Sequence, residues 1–177
     1  MFVKWKNIVL FVLTVLVFST GCRSVVRFST TVKDVSQNSV TNTNPKKTDL
    51  SNDLGFERSM IIGESFKWLG TPYCWGGESK DCADCSGFVQ KVYAKAGIHL
   101  PRTSRQQYNY SSAISSYEAQ PGDLVFFSEN GTISHVGIYI GKNTIIHSSS
   151  SIGVIKQSLE NNWLKSRLKG YGRVINS

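Results

Sequence analysis

The chain has 177 residues, 40% of them hydrophobic, and a formal charge of +8, which suits one ordinary domain and a tail. The basic residues are scattered, and Lys46-Lys47 is the only adjacent pair. No basic cluster with interleaved aromatics is present, which argues against a nucleic-acid partner; a diffuse positive surface suits an acidic polymer or an anionic membrane.

Residues 1–22 read as an export signal. Lys4 and Lys6 start it, Ile8 to Phe18 is apolar except Thr14, and Ser19-Thr20-Gly21-Cys22 closes it with small residues. The apolar run is short for a span of about 20 residues. The ending resembles a bacterial lipoprotein signal, although Ser19 stands where leucine is usual. On this reading residues 1–21 are removed and Cys22 is acylated and becomes the new N-terminus. That would anchor the protein by lipid in the bacterial cell envelope, at the outer membrane facing the periplasm. Residues 22–55 are rich in Ser, Thr, Asn and Lys, with isolated apolar residues. Such a segment buries too little apolar surface to order itself and is expected to be a flexible tether.

A folded domain is expected over residues 56–177. Met60, Ile61, Phe66 and Leu69 predict a helix ending near Gly70. Tyr73 to Gly77 reads as a loop. Next comes a helical face of Cys85, Phe88, Val89, Val92, Tyr93 and Ala96, with Asp84 as N-cap and Gly97 as terminator. Cys85 thus falls in the first turn, where the helix dipole favours a thiolate. A thiol pKa lowered from about 8.5 into the 3.5–7.5 range is expected. Thr103 or Ser104 should cap a short helix through Tyr108, and residues 111–120 read as a surface connection. Strands are predicted at Leu124–Phe127, His135–Ile140, Thr144–Ser148 and Gly153–Lys156. A helix at Asn161–Leu168 and a strand at Tyr171–Ile175 complete the chain. Helices first and strands after them predict an α+β fold, with helices packed on a central antiparallel sheet.

Ser134 to Ile140 alternates strictly, with His135, Gly137 and Tyr139 on one face. Gly141-Lys142-Asn143 reads as a three-residue hairpin loop. A hairpin centred on Lys142 pairs Ile138 with Ile146 and Gly137 with His147. His135 and His147 then become diagonal neighbours, roughly 7–8 Å apart at the backbone. A cysteine at a helix N-terminus with an imidazole beside it makes an activated nucleophile, and a third polar group orients that imidazole. The expected order is Cys85, His135, His147. The bland alternative, an ordinary buried cysteine and two unrelated surface histidines, leaves the pairing of the two histidines unexplained.

With these residues, the chain resembles the NlpC/P60 family of papain-like cell-wall peptidases, and most of all its small single-domain lipoprotein members. The matching pieces are Gly70-Thr71-Pro72-Tyr73, Trp75-Gly76-Gly77, Asp84-Cys85-Ser86-Gly87-Phe88-Val89, Leu100-Pro101-Arg102-Thr103-Ser104, Pro121 to Phe127, Ser134 to Gly141 and Ile146-His147-Ser148. Each is short, but together they stand in family order. The resemblance implies that Cys85 attacks a peptide carbonyl, that His135 is the base and that His147 orients it. It also implies that Tyr73 helps hold the oxyanion and that Asp84 and Ser86 meet the free amine of a stem peptide. The implied substrate is peptidoglycan, cut at a γ-D-glutamyl–diaminopimelate or D-alanyl–diaminopimelate bond, by a monomer without metal or cofactor. The polar stretch between Cys22 and Phe56 is short for an SH3-like domain, which favours an open groove and endopeptidase action.

The departures from the family pattern are cysteines. Cys82 stands where glycine is common, and Cys74 lies in the loop before it. Cys82-Ala83-Asp84-Cys85 is formally C-x-x-C, so a thioredoxin-like redox protein is one rival; it would want a βαβ unit. A zinc site from Cys74, Cys82, Cys85 and a histidine is another, at a spacing that fits no common zinc pattern. An inactive wall-binding lipoprotein is a third. In an oxidising compartment two pairings are open. A Cys74–Cys82 bond leaves Cys85 free, whereas a Cys82–Cys85 bond would switch the enzyme off.

Overall fold

The computed structural model describes residues 48–175. The signal-like start, Cys22 and most of the expected tether lie outside the described residues. In order, the elements are α1 (Thr48–Phe66), α2 (Cys85–Lys95), α3 (Ser104–Tyr110), β1 (Ser112–Ile114), β2 (Leu124–Glu129), β3 (Thr132–Gly141), β4 (Thr144–Ser149), β5 (Gly153–Ser158), α4 (Asn162–Arg167) and β6 (Leu168–Arg173). The strands form one six-stranded sheet in the order β1-β6-β2-β3-β4-β5. Every neighbouring pair is antiparallel. This is the expected α+β fold.

Period-two alternation gives each strand two faces. Leu124, Phe126, Val136, Ile138 and Ile146 face Ile61, Trp68, Phe88, Val89, Val92 and Tyr93 in one core. Val125, Phe127 and Ile145 face Leu159 and Leu164 in a second, smaller core. The sheet is therefore covered on both sides, with α1 and α2 over one face and α4 over the other. Burying each large apolar side chain contributes roughly 1.5–3 kcal/mol.

Several elements differ from expectation in detail. α1 starts at Thr48, inside the segment whose composition predicts a tether. The first turns of it with described side chains carry exposed Gly55 and Phe56, and the packed turns lie around Ile61. β1 falls in the expected connection at 111–120 and pairs with β6, its partner in the sheet but far along the chain. β6 starts and ends earlier than the strand expected at Tyr171–Ile175. The β3–β4 loop is a two-residue turn, Lys142-Asn143, both at positive φ, which joins Gly141 to Thr144. A bulge between Tyr139 and Gly141 absorbs the missing loop residue, so Ile138 still faces Ile146.

Candidate active site

Asp84 takes up the extended conformation of an N-cap, and its Oδ1 accepts from the Gly87 N–H at 2.7 Å. That bond starts α2 with Cys85 as its first residue. Gly97, at φ 78°, follows the last turn as expected. Gly87 is required by a close approach: a side-chain carbon there would fall 2.2 Å from the Gly77 carbonyl oxygen. The loop before the helix is thereby pressed onto its first turn.

A disulfide closes that loop. Cys74 and Cys82 are bonded, and Cys85 is the free cysteine among the described residues. Within the closed loop, the Gly76 N–H donates to Asp84 Oδ2 at 3.0 Å, and Trp75 stands 91% exposed at the rim.

The sheet supplies the histidines. His135 on β3 and His147 on β4 are both buried, at 8% and 2% exposure. Nε2 of His135 lies 2.8 Å from Nδ1 of His147. Nε2 of His147 lies 2.8 Å from Oε1 of Gln157 on β5. The His135 ring packs edge-on to Trp163 of α4 at 5.5 Å and beside Phe127 at 5.6 Å. One hydrogen bond ties the residue before the helix to the sheet: the Ser148 hydroxyl donates to the Ala83 carbonyl at 2.8 Å. The residue after His147 thus helps hold the segment that leads into the Cys85 turn.

One groove of about 840 Å³ is lined by Tyr73, Asp84, Cys85, Ser86, His135 and His147. All six site residues expected in this domain therefore meet. Trp75, Arg102, Ser149, Ser150, Ile152 and Trp163 share its walls.

The electrostatics correct one expectation. Burial pushes the Cys85 thiol up to about 11, and the Asp84 carboxylate adds to the rise. The nearby backbone N–H groups of Val136, Ser86 and Cys85 itself pull only partly back. Desolvation dominates, so the thiol is raised rather than lowered. Burial, with His147 beside it, brings His135 down to about 3; burial also lowers His147. Burial thus favours a neutral thiol and neutral imidazoles in the resting site. Tyr73 is raised, first by burial and then by Cys85 and Asp84, and stays a protonated donor.

Arg102 was present in a recognised motif but had no expected role. It grips Asp84 with two bonds, of 3.0 and 2.7 Å, and reaches Glu78 at 2.6 Å. Burial works against the Asp84 charge, but Arg102, Gly87 and Gly76 outweigh it and hold the carboxyl below its usual range. Asp84 therefore meets the groove already paired, as part of a ring with Arg102 and with Ser86, whose hydroxyl donates to it at 3.2 Å. Gln157 and Trp163 were also missed. Both reach the site through sheet pairing and helix docking, which leave no local trace in the sequence.

The chain is similar to known proteins in sequence and in fold. The model of the NlpC/P60 family matches residues 70–173. The chain is 46% identical over 114 residues to the probable endopeptidase p60 of Listeria monocytogenes, covering 64% of this chain and 23% of that protein. It is 39% identical over 119 residues to the murein DD-endopeptidase MepS/murein LD-carboxypeptidase of Escherichia coli, covering 67% of this chain and 63% of the relative. Against solved structures it superposes with TM-score 0.63 and 39% identity on an NLP/P60 protein similar to lipoproteins from Staphylococcus aureus, covering 69% of this chain and 42% of that one. It also matches the NlpC/p60 domain of the peptidoglycan hydrolase SagA, with TM-score 0.59 and 30% identity over 66% of this chain and 97% of that one. The chain thus spans about a quarter of the p60 protein and less than two thirds of MepS.

Proposed function

The chain belongs to the NlpC/P60 family, and on that premise we propose that it is a cysteine endopeptidase that hydrolyses stem peptides or crosslinks of peptidoglycan. The observation that carries this reading is the buried His135–His147 hydrogen bond in the groove that Cys85 lines.

The chemistry follows from the protonation states. Nε2 of His135 is engaged with His147, so Nδ1 is the nitrogen left for the thiol. As Cys85 sulfur bonds to the peptide carbonyl carbon, its proton passes to Nδ1 of His135 and the carbonyl electrons move to oxygen. The Tyr73 hydroxyl and the Cys85 N–H would stabilise that oxyanion, each by a few kcal/mol. Collapse breaks the C–N bond, and the imidazolium returns its proton to the leaving amine. Water then attacks the thioester with His135 again as base, releasing the acid and restoring the thiol. Because thiol and imidazole start neutral, proton transfer accompanies attack rather than preceding it.

The test is digestion of purified peptidoglycan with mass spectrometry of the fragments. Wild type should release muropeptides whose masses identify cleavage after γ-D-glutamate or after D-alanine. Cys85→Ala and His135→Ala should abolish release, and His147→Ala should leave a residue of activity. Digestion by Cys85→Ala at the wild-type rate would sink the reading. The redox rival loses its attacking thiol, since Cys82 is bonded to Cys74 and not to Cys85. The zinc rival loses two of its ligands to the same bond.

We also propose lipid attachment at Cys22 and an envelope location, supported by Lys4, Lys6, the apolar run to Phe18 and Gly21-Cys22. A clickable fatty acid should label wild type and not Cys22→Ala; equal labelling of both would reject the anchor.

A further inference from the structure

Gln157 is the outermost member of a row of hydrogen bonds that ends at His135. It sits on β5 opposite Ile145 of β4, half-exposed in the groove wall. Its Oε1 lies 2.8 Å from Nε2 of His147, and Nδ1 of His147 lies 2.8 Å from Nε2 of His135. An amide oxygen can only accept. With the oxygen of Gln157, rather than its NH2, facing the ring, His147 carries its proton on Nε2, which leaves a lone pair on its Nδ1. Nε2 of His135 must then hold the proton shared between the rings, and Nδ1 of His135 is left bare. A donor in place of Gln157 Oε1 would reverse the row and put a proton on Nδ1 of His135, where it could no longer serve as base.

We propose that Gln157 is a positioning residue whose amide oxygen fixes the tautomer of His147 and, through it, that of His135. This rests on the peptidase reading above, in which Nδ1 of His135 takes the thiol proton. β5 ends the sheet, so Gln157 can be replaced without disturbing an interior strand.

Nitrogen-15 NMR of the histidine rings in Cys85→Ala protein at pH 8 reads the tautomers without any turnover. Both His135 and His147 should be in the Nε2–H form. Adding Gln157→Leu, which removes the acceptor, should convert His147 to a mixture and His135 with it. Gln157→Glu, an acceptor only, should keep the parent pattern. With Cys85 intact, Gln157→Leu should lower kcat for peptidoglycan fragments about tenfold with KM unchanged, and Gln157→Glu should recover most of that loss. Unchanged tautomers in Gln157→Leu overturn the proposal, as does an Nδ1–H form of His147 in the parent. A fall in kcat without a tautomer change indicates packing alone and also overturns it. If the Cys85-intact protein digests no peptidoglycan, the peptidase reading fails separately, because the NMR result does not depend on it.

Discussion

Gly137 lies directly against His147. A side-chain carbon at Gly137 would fall 3.1 Å from Cβ of His147 and 3.0 Å from Cδ1 of Ile145. A methyl group there requires a shift of a few tenths of an ångström in His147 or Ile145, directly beside the His135–His147 bond. Misplacement of about 1 Å in such an array can cost on the order of a hundredfold in rate. Gly137→Ala should therefore lower kcat at least tenfold on peptidoglycan fragments, while circular dichroism shows a folded protein. Full activity in Gly137→Ala would show that the contact has no bearing on the histidines.

Asp123 ties the two ends of the domain together. Its carboxylate is fully buried and meets Arg58 of α1 at 3.1 Å and Arg173 of β6 at 2.8 Å; it also accepts from the Gln120 N–H. Removing one partner of a buried pair strands the others. Asp123→Ala should cost about 3 kcal/mol in urea unfolding, and Asp123→Asn less, because the amide still offers an acceptor. A loss under about 1 kcal/mol in Asp123→Ala would place the arginines' stabilising contacts elsewhere.

The buried histidines make stability depend on pH. His135 and His147 both titrate lower in the folded protein than the ordinary imidazole value of 6.5. The unfolded chain therefore takes up protons first as pH falls, and stability present above about pH 6.5 is lost below it. Each histidine contributes a slope of up to about 1.4 kcal/mol per pH unit. The paired carboxylates of Asp84 and Glu64, both held low, enter only at more acidic pH. Urea midpoints should fall from pH 7 to pH 5, and His147→Gln should flatten that fall. Equal midpoints at the two pH values would contradict it.

Alkylation reports the state of Cys85. With the thiol pushed up to about 11, iodoacetamide should react more slowly at pH 7 than with an exposed cysteine, and the rate should still be climbing at pH 9. A plateau reached by pH 7 would mean that a thiolate is already present at rest.

The site was legible in sequence where its geometry is local. Asp84 capping Cys85 is a matter of adjacent residues, and the His135–His147 pairing follows from alternation plus a short turn. The turn is one residue shorter than the sequence predicts, because a compensating bulge leaves no signature. Asn130-Gly131, both at positive φ, joins β2 to β3 and is a strong hairpin signal; it extends β3 back to Thr132, ahead of the start expected at His135. What was not legible depends on distant partners. β1 is a strand only because β6 lies beside it, and Gln157 reaches His147 only through β4–β5 pairing. The protonation state depends on how deeply the groove is buried, which periodicity does not report.

The bond from Ser148 to the Ala83 carbonyl joins residues 65 positions apart. It fastens a helical half made early in synthesis to a sheet half made late. At typical translation speeds the histidines follow the thiol by several seconds. On the proposed mechanism the chain then carries Cys85 without its base throughout that interval, and a truncated product ending before His135 would carry it permanently. On the proposed peptidase reading, competence would thus appear only when the final strands close over the first helices, and complete synthesis would be its precondition.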